Sequence, residues 1–111
     1  MTTIAWRLGH VLVGVFGQCN ASHFGAPPIS FETVVWPPNA EAALEALDDA
    51  YATWTRGVAA LGDDGMARPV GPAEGPFAEH PYAALVMHIN CEAIHRHAEV
   101  LLLRDLYRAT R

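Results

Sequence analysis

The chain contains no lysine: all of its fixed positive charge sits on seven arginines, against twelve acidic residues, for a net charge of -5 over 111 residues. A protein that grips a phosphate backbone needs a basic face, so this balance argues against a nucleic-acid module. Cysteine is scarce too. Cys19 and Cys91 lie in separate segments without a CxxC pair, too few for a disulfide framework, and both are expected to be reduced. Long apolar runs are missing: the longest, Val11 to Gly17, falls far short of the roughly 18 residues of a spanning helix, so no membrane span is predicted. Arg7 interrupts the apolar N-terminal stretch and no charged region precedes it, which argues against a cleaved secretory signal and makes a cytoplasmic location the expectation. Charged types reach only 17% while apolar types reach 51%, enough to bury a core, and the length fits one domain.

What the chain has is helical periodicity. From a cap at Thr2 or Thr3 to about Gln18, the residues Ile4, Leu8, Val11, Leu12, Val15 and Phe16 recur at helical spacing, with Gly9, Gly14 and Gly17 leaving room for a neighbouring helix. The segment Asn20 to Pro38 carries four prolines and reads as a long crossover rather than as a strand through Thr33 to Trp36. Asn39 caps a second predicted helix, Ala40 to Leu61, in which Leu44, Leu47, Tyr51, Trp54, Val58 and Leu61 mark one face and Gly62 supplies the stop. Residues 62–79, with four Gly and three Pro, read as a loop. Pro81 fits a first helical position, and the stretch from Tyr82 to about Arg108 contains neither Gly nor Pro, so it predicts a third helix of about 40 Å.

On that third helix His88, Glu92, His95 and Glu99 share one narrow stripe with Leu85, Leu102 and Leu106, between two mostly apolar faces. Buried charge is costly unless paired or coordinated, and imidazoles a turn from a carboxylate are a common way to present a metal ion. His10, among apolar neighbours on the first helix, is a candidate third ligand; three protein ligands with an open position is the catalytic arrangement. Each residue also has a plainer reading. His10 reads more readily as a hydrogen-bonded core histidine, and the stripe equally as hydrogen-bonded i, i+3 and i, i+4 pairs. His97 is expected to face solvent, His80 to start a helix, His23 to lie in a loop, Cys91 to be buried and inert, and Trp6, Trp36 and Trp54 to pack.

The stretches IAWRLGHVLVGVFGQCNASHF (4–24) and HINCEAIHRHAEVLLLRDLY (88–107) resemble the DinB-like (damage-inducible) superfamily of metal-binding helical bundles, which includes the mycothiol- and bacillithiol-dependent S-transferases. The resemblance implies an all-α, up-down bundle of the four-helix type, of which this chain supplies three main helices as a single domain, 1–111, truncated at its N-terminus. It also implies a divalent metal (zinc, nickel or manganese) on His10, Glu92 and position 96. Arg96 stands there instead, so His95 is the expected substitute ligand and His88 the other candidate. The function implied is transfer of a low-molecular-weight thiol of the mycothiol type onto a small electrophile. The alternatives are metal-dependent hydrolysis and a non-catalytic helical module that has lost its metal site. An uncovered apolar face predicts a homodimer.

Overall fold

In a computed structural model, which describes residues 4–110, the chain is all-α, and no strand occurs among the described residues. Helix α1 (Ile4–Gly9) runs into a π-helix (His10–Gly17) and then α2 (Gln18–His23), so the first predicted helix exists but extends five residues beyond Gln18. The amide of Gln18 bonds Val13 O, an i to i+5 bond that closes the wide π turn. That turn collects Val11, Val13, Val15 and Phe16 as fully or almost fully buried side chains. The expected Thr2 or Thr3 cap lies outside the described residues. The proline-rich segment that follows is a crossover, with a turn at Ser30–Thr33 and no strand.

Helix α3 (Ala40–Ala67) begins where expected, with Asn39 Oδ1 accepting from Ala42 N at 2.8 Å. Gly62 breaks it as predicted, at φ 62° and ψ −176°, yet the chain coils on to Ala67 before leaving the helix. The expected loop over 62–79 therefore opens helically, then holds a 3₁₀ helix, Pro72–Phe77, before α4 (Tyr82–Ala109). Pro81 is the extended residue just before α4 rather than its first residue.

The first helical run packs on both long helices: α1 and the π-helix on α4, the π-helix and α2 on α3. Val11, Val15, Phe16, Cys19, Trp54, Leu85 and Ile89 form the core where the three meet. Asn20, also buried, donates from Nδ2 to Ala50 O at 3.0 Å and fixes α2 against α3. The glycines predicted to admit a helix admit the crossover instead. The indole of Trp36 rests where a Cβ on Gly9 would be, and Ile29 lies against Gly17. The radius of gyration is 15.3 Å, above the roughly 13 Å of a compact chain of this length. Helix α4, 28 residues and about 42 Å long, and α3, broken at Gly62, outreach the short first run. Accordingly Met87, Ile94, Leu101, Leu102, Leu106 and Tyr107 of α4 are exposed.

Candidate functional site

His10 opens the π-helix, a geometry that often marks functional positions because it re-aims side chains within a helix. Its imidazole stacks on Trp6, one turn earlier, at 5.7 Å and on Phe31 of the crossover at 6.3 Å. Gly14 keeps the space beside the ring clear. Burial lowers the pKa of His10 below the usual imidazole value, the Arg96 and Arg7 guanidinium charges lower it further, and Glu92 opposes them. The net shift favours the neutral imidazole, the form that offers a lone pair, and the ring feels the charges of both Glu92 and Arg96.

Arg96 organises the facing surface of α4. Its Nε lies 3.5 Å from Glu92 Oε2 and its Nη1 3.3 Å from Glu99 Oε1, so one guanidinium ties two carboxylates along a helix face. Glu99 accepts a hydrogen bond from Arg96 and is also ion-paired with His95, whose Nε2 lies 2.7 Å away, and with Arg7, which reaches across from α1. Arg7, Arg96, Glu92 and Glu99 are all only partly exposed, so these pairs are shielded from bulk water more than surface pairs are.

Of the four expected ligands, Glu92 lies within electrostatic reach of His10, whereas His95 leans on Glu99 with its side chain 65% exposed. His88 is exposed and lines a different cleft, beside Glu74. Among the described residues no three His, Cys, Asp or Glu side chains converge as a metal site. The donor set at His10 does not fit a divalent ion as arranged. Two arginines already balance two carboxylates, and a dication would enter a site with no uncompensated negative charge.

Two expectations for α4 are corrected. His97 does not face solvent: it is half-buried in a groove with Phe16, Leu47 and Tyr51, and its Nε2 is enclosed without a partner. Cys91 is exposed rather than buried. The cause of both is the rotation of the helix. Leu85, Ile89, Ala93 and His97 recur every four residues along the inner face, which turns Cys91 and the His88–His95 side of the stripe outward.

A second polar cluster was not foreseen. His23 closes α2 instead of lying in a loop, with its side chain only 2% exposed. A carboxylate only accepts, so His23 Nε2 donates to Glu74 Oε2 at 2.8 Å, and Nδ1 accepts from the Tyr82 hydroxyl at 3.1 Å. Cys19, one turn before His23, has its thiol pushed up to about 11 by burial and by the Glu74 charge. The three hydrogen-bonded groups come from α2, the 3₁₀ helix and α4, so no single-helix spacing announces them. The legible hint was His23 four residues after Cys19, in line with the core face.

Compared with known proteins, residues 1–100 match the DinB superfamily, and the chain belongs to it. No curated protein and no solved structure shows a significant match.

Proposed function

We propose that this member of the DinB superfamily keeps the helical scaffold of a metal-dependent enzyme while Arg96 occupies the third ligand position, making the chain a non-catalytic helical module that associates as a homodimer. One observation carries the reading: the Arg96 guanidinium is paired with both Glu92 and Glu99, beside a His10 whose pKa burial and the Arg96 charge both lower. The exposed apolar side chains of α4, from Met87 to Leu106, supply a surface for association. The test is metal content per chain after exchange into zinc, nickel or manganese. Wild type is expected to retain none, and Arg96→His to gain close to one, because the substitution removes a cation and adds a donor one turn from Glu92.

A second reading is favoured by the neutral His10 lying within electrostatic reach of Glu92, two donors of the kind a divalent ion takes. Under it the chain is a metal-dependent S-transferase or hydrolase. His10 and Glu92 would be the ion's ligands, once the Arg96 guanidinium had left Glu92. One metal per wild-type chain, lost in His10→Ala, would replace the first reading with this one. Consumption of a low-molecular-weight thiol would then separate transfer from hydrolysis.

A further inference from the structure

A cleft of about 390 Å³, with Glu74 in its lining, lies between the 3₁₀ helix and the first turns of α4. Its floor is Val70 and Leu85, both buried, and Phe77 forms an exposed apolar wall. The polar groups are Glu74, His80 and His88. That volume is in the lower part of the range occupied by small-molecule sites.

The cleft is pre-formed by the backbone. Val70 N bonds His80 O, Gly71 N bonds Ala78 O and Tyr82 N bonds Arg68 O, each at 2.9 Å, so the two ends of the loop are clamped together as in a compact Ω-type loop. Within this frame Glu74 has a fixed position. His23, almost wholly buried, donates to its Oε2 and is itself held by Tyr82, leaving Oε1 unengaged by that histidine. Phe77 and His80 meet edge to face at 5.5 Å, which fixes the imidazole at the rim.

We propose that this cleft binds a small organic amine: an ammonium group on a compact apolar body. An ammonium has three N–H donors and no acceptor. The cleft supplies the Glu74 carboxylate as the charged acceptor, with His80 and His88 elsewhere on its lining. The apolar part of the ligand covers Val70, Phe77 and Leu85, and the net charge of -5 favours a cation over an anion at the approach. The site is separate from the His10–Arg96 cluster and does not depend on the fate of the metal there.

The experiment is titration of the full chain with benzylamine, benzyl alcohol and benzoate at mildly alkaline pH, followed by amide chemical shifts of the loop. Benzylamine is expected to saturate with shifts centred on residues 70–88. Benzyl alcohol should bind about tenfold more weakly or worse, because it lacks the charge-assisted bond to Glu74, and benzoate should not bind. Glu74→Gln should erase the difference between amine and alcohol. Because that change also loosens the bond to His23, His88→Ala serves as a second variant that leaves the Glu74–His23 pair intact and should weaken the amine selectively. Equal binding of benzylamine and benzyl alcohol by wild type, an undiminished preference in both variants, or no saturable shift at all would overturn the proposal.

Discussion

His10 and Arg96 form a pair whose charges are coupled, and the coupling has a measurable consequence. Because the folded-state pKa of His10 lies below its unfolded value, the unfolded chain binds the extra proton first. The stability that this histidine contributes is therefore complete above about pH 6.5, the usual imidazole value. It is lost as pH falls through the folded pKa. Urea midpoints should fall on acidification in wild type, and the fall should be shallower in His10→Gln. Replacing Arg96 by Gln should raise the His10 pKa, read from imidazole proton shifts, because a lowering charge is gone and Glu92 is released. The effect of that substitution on stability should stay near or below about 1 kcal/mol, since the ion pairs are partly solvated. The cysteines give an independent check of burial. Cys91 should react with a disulfide reagent in the native chain, and Cys19, buried and with its thiol raised to about 11, only after unfolding.

Helix α3 shows how one residue can end an element without ending the coil. At Gly62 the backbone lies in a region that a side chain resists, so Gly62→Ala should lower stability by about 1 to 3 kcal/mol in chemical denaturation, although no atom lies within 4 Å of the added methyl. The N-terminus of the same helix is held by Asn39, and Asn39→Ala should cost about 1 kcal/mol. Both ends were legible, because a cap and a positive-φ glycine are local chemistry. The π-helix was not. Its residues satisfy the ordinary helical spacing, and the wider turn becomes visible only in the i to i+5 bond from Gln18 to Val13. Nor could the sequence show what the small residues of that segment accept. Gly9 is filled by Trp36, a residue 27 positions away, and only the path of the crossover brings them together.

Across the whole molecule, two long helices extend past a short first run and leave an apolar strip on α4. If that strip is a dimer surface, Leu102→Glu should convert a dimer to a monomer in light scattering while leaving the thermal midpoint close to that of wild type, because Leu102 is 59% exposed in the single chain. The sequence by itself determined the helical class and the extents of the long helices to within a few residues. Those features rest on short-range spacing and capping, which are written along the chain. Tertiary structure decided which face of α4 turns inward, and so placed His97 in a groove and His88 and His95 outside it. It also assembled Glu74, His23 and Tyr82 from three separate segments. The physical reason is the same for both. A helix of mixed hydrophobicity has several faces that can be buried, and the choice among them follows from what the other elements place against it.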